Sequence, residues 1–194
     1  MNILRDLKNS LILTLILLVI CCGIYPLFVY GVGQLLFPAK ANGSLVLDSD
    51  RKPIASTLLA QAFTADKYFN PRPSAAGTGY DSTSSGGSNL GSTSQSLHDS
   101  VKQRVADYRK ANNLPDSQVV PADAVEASGS GLDPHISIKN ALLQLPRVAK
   151  ARGMSEDDLQ TLVNRYTDGR DLGILGEPGV NVVKLNLALD GKYK

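Results

Sequence analysis

The sequence predicts an α+β fold: a single N-terminal transmembrane helix followed by one mixed α+β soluble domain. Three observations lead there. An uncharged, largely apolar run fills residues 11–36, and crossing a bilayer core takes roughly 20 apolar residues at helical rise. Behind it, apolar residues recur at spacings of three and four, the period of amphipathic helices. Near the C-terminus, residues 180–190 alternate, with Val183, Leu185, Leu187 and Leu189 one way and Lys184, Asn186 and Asp190 the other. That alternation predicts a half-buried strand.

The anchor comes first. In lipid every backbone amide must be paired inside the segment, so the run is expected to be a helix. The tail, residues 1–10, carries Arg5 and Lys8 against Asp6, and only Lys40 lies close behind the run. The positive-inside rule therefore places the tail in the cytoplasm and residues 37–194 outside. A cleaved signal peptide would have a core of about 7–15 apolar residues and small residues behind it. Tyr25-Pro26-Leu27-Phe28 stands where the small residues would be, and the bulky Ile20 precedes Cys21, so an uncleaved anchor is expected. Pro26 removes a backbone donor and crowds the carbonyl of Cys22, beside Gly23. Two readings stay open there: ordinary tolerance of Gly and Pro, or a kinked helix whose Gly31 and Gly33 let other helices approach.

Composition bounds the rest. Of 194 residues with net charge +2, no segment forms a basic stripe, which argues against nucleic acid as a partner. Both cysteines, Cys21 and Cys22, lie in the apolar run, leaving neither a disulfide framework nor a cysteine metal site beyond it.

Asn42-Gly43-Ser44 reads as a turn leaving the membrane. Residues 44–47 and 54–59 are short and partly β-branched and are expected to pair as strands across the turn at residues 48–52. Residues 64–96 shift to Gly, Ser, Pro and Thr, a linker composition, yet Tyr68, Phe69, Tyr80 and Leu90 punctuate it. A solvated linker needs no such residues, so an ordered loop completed by another protein is expected. Residues 95–112 predict a helix with Leu97, Val101, Val105 and Tyr108 on one face, Ser96 at its start and Pro115 past its end. Lys102, Arg104, Arg109 and Lys110 read as its solvated face, and residues 122–127 as a short helical turn. Residues 138–153 are amphipathic, with Pro146 expected to kink or divide the helix and Gly153 to close it. Ser155 and Asp158 resemble a capping box opening a further helix through Leu159, Leu162, Val163 and Tyr166.

Ser128-Gly129-Ser130-Gly131-Leu132-Asp133-Pro134-His135 invites three chemical readings. A nucleophilic serine needs G-x-S-x-G, and the spacing is wrong. A phosphate loop needs a Lys that is absent. A tight turn that delivers Asp133 and His135 to a helix start remains, where backbone amides meet an anion or carbonyl. A hydrolase built on Ser130, His135 and Asp133, or a plain anchored binding module, are the rival functions.

Several segments also resemble a known family. Tyr68-Phe69-Asn70-Pro71-Arg72-Pro73-Ser74-Ala75, Gly86-Gly87-Ser88-Asn89-Leu90, Ser128-Gly129-Ser130-Gly131-Leu132-Asp133, Gln144-Leu145-Pro146-Arg147-Val148-Ala149-Lys150-Ala151-Arg152 and the stretch from Val180 to Asp190 are similar to the C subunits of Kdp-type potassium-transporting P-type ATPases. The likeness runs almost end to end. It implies a non-catalytic subunit of a bacterial inner-membrane pump, beside a channel-like potassium-binding subunit, a P-type ATPase subunit and a small membrane peptide. Such subunits are described as needed for assembly and as catalytic chaperones that raise ATP affinity. The resemblance carries a nucleotide contact over to Gln144, with ATP otherwise met through the complex. No Asp-Lys-Thr-Gly-Thr motif is present, and Thr78-Gly79-Tyr80 is only superficially like a potassium filter. The expected partner-facing set is Tyr68, Phe69, Asn70, Arg72, Ser74, Tyr80, Ser88, Asn89, Ser130, Asp133, His135 and Arg147.

Overall fold

The structure is a computed structural model in which residues 3–193 are described. The chain divides into two compact units that meet in sequence at Leu45 and Val46.

The first unit holds the long apolar helix. Helix α1 (Ile3–Val19) begins ahead of the apolar run and passes through a π-helical turn at Ile20–Ile24 into α2 (Tyr25–Leu36). Ile3–Leu36 is one stretch long and apolar enough to cross a membrane. The irregularity expected at Pro26 takes the form of this π turn. The amide of Tyr25 donates to the Ile20 carbonyl, so the extra residue is absorbed just before the proline that cannot donate. A short helix α3 (Pro38–Ala41) follows, closed by Gly43 at φ 82° and Ser44 at φ 50°.

The second unit opens with β1 (Leu45–Leu47) and β2 (Pro53–Ser56), paired as a hairpin whose turn is held by Asp48. Residues 57–94 contain no helix or strand. Helix α4 (Gln95–Ala111) is capped by Ser94, two positions before the expected Ser96. A 3-10 turn (Ala122–Ala124) precedes β3 (His135–Ile136), α5 (Ile138–Arg152), α6 (Glu156–Arg165), β4 (Thr167–Asp168), β5 (Gly179–Asn181) and α7 (Val182–Leu189). β5 is the centre of an antiparallel sheet ordered β3-β5-β4.

Two expectations are corrected. Pro146 does not divide α5, which runs unbroken to Gly153 in the left-handed region. The proline and Leu142, whose carbonyl loses its donor, are both exposed, which leaves that carbonyl on the solvent side of the helix, where an unpaired group is cheapest. The strand expected over residues 180–190 ends at Asn181, where the side chain accepts from the Lys184 amide and starts α7. Two apolar stripes are superposed on that helix. Val182, Leu185 and Leu189 face the cluster formed with Phe69, Ile136, Leu145, Val148, Leu159 and Val163. Val183 and Leu187 face a second cluster with Val46 and Ala55 of the hairpin. Two helical stripes on opposite sides leave a pattern that alternates like a strand.

A third correction concerns the basic face of α4. Arg104 donates to the Val125 carbonyl at 3.0 Å and Arg109 to the Gln118 carbonyl at 2.9 Å. These two pin the link into α5, while Lys102 and Lys110 remain exposed.

Candidate functional site

The polar interior is built around the loop that carries Tyr68, Phe69 and Asn70. An extended backbone turns the amide and carbonyl of successive residues to opposite sides. Here each side meets one side-chain amide. Asn186 of α7 accepts from the Phe69 amide at 2.9 Å and donates to its carbonyl at 2.8 Å. Gln144 of α5 accepts from the Asn70 amide at 2.7 Å and donates to its carbonyl at 3.2 Å. Two helices thus hold a strand-like segment as flanking strands would, although neither lends a backbone group to it.

Arg147, one turn beyond Gln144, completes the clamp. Its Nε donates to Asn112, one terminal nitrogen to the carbonyls of Asp66 and Tyr68, and the other to Asn70 and Gln144. All five guanidinium donors are engaged. Burial pulls the Arg147 pKa down from its ordinary value, opposed by Asp66. Gln144 also donates to Asn140, which accepts from the Tyr108 hydroxyl of α4 at 2.8 Å. Burial pushes Tyr108 well above the usual phenol range, with Asp123 adding to the effect.

The α5 N-terminus is occupied from within. Asp123 accepts from the Ser137 amide at 2.7 Å, the Ser137 hydroxyl at 2.9 Å and the Asn140 side chain at 2.9 Å. A carboxylate there is favoured by the helix dipole. The expectation that this helix start receives an outside anion or carbonyl is therefore corrected.

Residues 72–81 close on themselves. Ser74 Oγ accepts from the amides of Ala76 and Tyr80, and the Tyr80 hydroxyl donates to the Arg72 carbonyl at 2.8 Å. Burial raises the Tyr80 pKa to about 12, against a lowering pull from Arg104. The Gly/Ser tract then lies against the Ser128-to-Gly131 turn, the Gly86 amide donating to the Ser130 carbonyl at 2.9 Å. A Cβ on Gly131, at φ +69°, would stand 2.6 Å from the Gly86 carbonyl oxygen and 2.7 Å from the Ala76 amide. Only glycine permits this approach of three backbone segments.

Beyond the turn stands an ionic cluster. Arg72 meets Asp133 at 3.4 Å, His135 Nδ1 meets Asp133 at 3.4 Å, His135 Nε2 meets Asp168 at 2.9 Å, and Lys184 meets Asp168 at 3.2 Å. The hydrogen bond to Asp133 raises the His135 pKa against burial, and Asp168 adds to the rise. Burial would raise both carboxylates, but His135 with Arg72 pulls Asp133 down, and His135 with Lys184 pulls Asp168 down. Ser130 does not belong to this cluster; its hydroxyl accepts from the Leu132 amide at 3.1 Å. The serine-histidine contact a hydrolase requires is absent among the described residues, where the His135 ring meets carboxylates and Asn181.

The expected site residues accordingly separate. Phe69 and Gln144 are buried, and Asn70 and Arg147 are engaged inside the clamp. Tyr68 is half-buried, its hydroxyl donating to Asp190 at 2.7 Å beside Arg152. Ser88, Asn89 and Ser130 are exposed, while Arg72, Ser74, Tyr80, Asp133 and His135 are half-buried. Asn186, Asn112, Asn140 and Asp123 hold the arrangement, and the sequence reading did not single them out. The Gly153 and Ser155 signals locate α5 and α6 well, but a side-chain amide meeting a loop far away in sequence leaves no local trace.

Fold and site together define an α+β protein with an N-terminal helix apolar enough to cross a membrane, whose internal polar groups position a long loop. The chain matches the family model of the K+-transporting ATPase c chain over residues 7–191. It is 54% identical over 186 residues to the potassium-transporting ATPase KdpC subunit of Mycobacterium tuberculosis (strain H37Rv), covering 96% of this chain and 98% of that protein. It is 51% identical over 191 residues to the like-named subunit of Rhodospirillum rubrum (98% and 97% covered) and 47% over 188 residues to that of Koribacter versatilis (96% and 95%). The chain belongs to the KdpC family, the C chains of potassium-transporting ATPases.

Proposed function

We propose that this chain is the non-hydrolysing accessory subunit of a Kdp-type potassium pump. It is anchored in a bacterial inner membrane by residues 11–36, with residues 1–10 in the cytoplasm and residues 37–194 outside. The observation that carries the reading is the family match across residues 7–191. The lack of an Asp-Lys-Thr-Gly-Thr sequence supports leaving phosphoryl chemistry to another subunit, and Arg5 and Lys8 support the orientation. Its neighbours in this reading are the channel-like potassium-binding subunit, the ATPase subunit and the small membrane peptide.

In this proposal the outer domain assists assembly and works at the potassium entrance of the channel-like subunit. Any rise in ATP affinity reaches the hydrolysing subunit through coupled conformations. The burial of Gln144 and its pairing with Asn70 favour this over direct nucleotide contact. The loop held by Asn186, Gln144 and Arg147 is then the part presented to the neighbours, with Phe69 acting from the core and Ser88, Asn89 and Ser130 from the surface.

Two experiments test it. Tagged chain expressed with its neighbouring genes and purified in mild detergent should bring down the large transport subunits; isolation alone would refute the role. With Cys21 and Cys22 replaced by Ser, a Ser92→Cys chain should react with an impermeant thiol reagent on intact spheroplasts. Labelling only after lysis would reverse the orientation and reopen direct ATP contact.

A further inference from the structure

Residues 169–178, between β4 and β5, make no use of the domain core and yet are well built. The sheet pairs Asp168 with Gly179 at the base. Just above, Arg170 grips both carboxylate oxygens of Glu177 at 2.8 and 3.0 Å. Asp171 and Leu175 then exchange backbone hydrogen bonds of 2.9 Å in each direction. At the tip stand Leu172, 88% exposed, Ile174, 75%, and Leu175, 56%. Leu172 also holds φ +53°, a left-handed conformation that a leucine rarely adopts. Isolated exposed leucines need no explanation, but three aliphatic side chains on a braced, strained tip form a presented surface.

The charges around the tip select the occupant. Tips that enter a bilayer are rimmed by Lys, Arg and interfacial aromatics. This one has no aromatic, its one cation is neutralised by Glu177, and Asp171 is left over to be repelled by anionic headgroups. A second copy docking tip to tip across a two-fold axis would bring Asp171 near its own mate, with Arg170 already taken by Glu177. We propose that the hairpin is a docking finger for another polypeptide of the membrane complex, entering an apolar recess with a Lys or Arg at its rim opposite Asp171. The inference rests on the subunit reading above and specifies one surface through which the domain holds its neighbour. A few side chains seated in well-packed, desolvated pockets carry most of the energy of such an interface, and here the candidates are aliphatic.

The test uses the whole complex, co-expressed and purified in mild detergent by a tag on the ATPase subunit. A photo-crosslinking amino acid in place of Leu172 should yield an adduct with another subunit. The double variant Leu172→Asn/Ile174→Asn should leave the complex about tenfold faster on washing, the scale of one buried aliphatic anchor, with an unchanged melting temperature of the free chain. Asp171→Lys should weaken retention as well, whereas a lipid-seeking tip would bind anionic vesicles more strongly. Adducts only with lipid or a second copy, or retention unaltered in both variants while the wild-type chain co-purifies, overturn the docking finger alone. A wild-type chain that fails to co-purify overturns the subunit reading and the finger with it.

Discussion

The side-chain amide of Asn186 forms two hydrogen bonds with the backbone of Phe69, accepting at 2.9 Å and donating at 2.8 Å, and both residues are fully buried. One helical residue thereby satisfies a loop amide and carbonyl that no water reaches. Asn186→Ala leaves both groups without partners, at a cost of about 2–6 kcal/mol, since each unmet buried group costs about 1–3 kcal/mol. Asn186→Asp keeps the acceptor but turns a second oxygen toward the Phe69 carbonyl, and should be no better tolerated. Urea unfolding of the full chain in detergent measures both; a midpoint within error of wild type would show that the loop is held by apolar packing of Phe69 instead.

Gly131 and Gly129, neighbours in one short motif, should respond in opposite ways. Gly131→Ala adds a methyl 2.6 Å from the Gly86 carbonyl oxygen at a residue with φ +69°. The left-handed conformation alone costs about 1–2 kcal/mol, and the close approach adds to it because the obstacles are backbone. A Cβ at Gly129 meets nothing within 4 Å, so Gly129→Ala should stay within about 0.5 kcal/mol of wild type. Thermal melting of the two variants separates them, and equal melting temperatures would remove the close-approach explanation.

Where a structural cause was local, the sequence disclosed it. The hairpin of residues 45–56, Ser155 at the start of α6 and Gly153 at the end of α5 were all readable. α7 was not, because its two stripes face different core clusters and their sum alternates. The caps were there to be weighed: Asn181 at its start and Gly191, at φ 70°, past its end. Asn186 looked like the wet side of a strand, and its burial makes sense only with the Phe69 backbone in place. Asp123 was equally hidden, because it holds Ser137, the N-cap of α5, fourteen residues on.

Arg147 is a further point of test, since lysine keeps the charge and loses the fork. Arg147→Lys cannot span Asn112, Asp66, Tyr68, Asn70 and Gln144 at once. The expected loss is about 2–3 kcal/mol, typical of forfeited bonds to a charged group. If the clamped loop faces the transport subunits, the same variant should lower potassium-stimulated ATP hydrolysis by the assembled complex even where the chain remains folded. Full hydrolysis with a destabilised chain would confine Arg147 to holding the fold.

The ionic cluster predicts a pH window for stability. His135 is raised above its ordinary 6.5, chiefly by Asp133 and then by Asp168. Its contribution is therefore complete below that ordinary value and is lost as pH climbs through the raised folded one. Asp133 and Asp168 are lowered from 3.8, with burial outweighed by His135, Arg72 and Lys184. Their contribution is present above that value and disappears as pH falls through the depressed folded ones. The cluster should thus support the fold most between roughly pH 4 and pH 6.5, with a decline on the alkaline side that His135→Asn removes. Urea midpoints of the full chain from pH 4 to 9, wild type against His135→Asn, measure this. The two curves should separate most at acid pH and converge above neutrality, and a gap that widens as pH rises would mean that neutral, not protonated, His135 is the form the folded chain prefers.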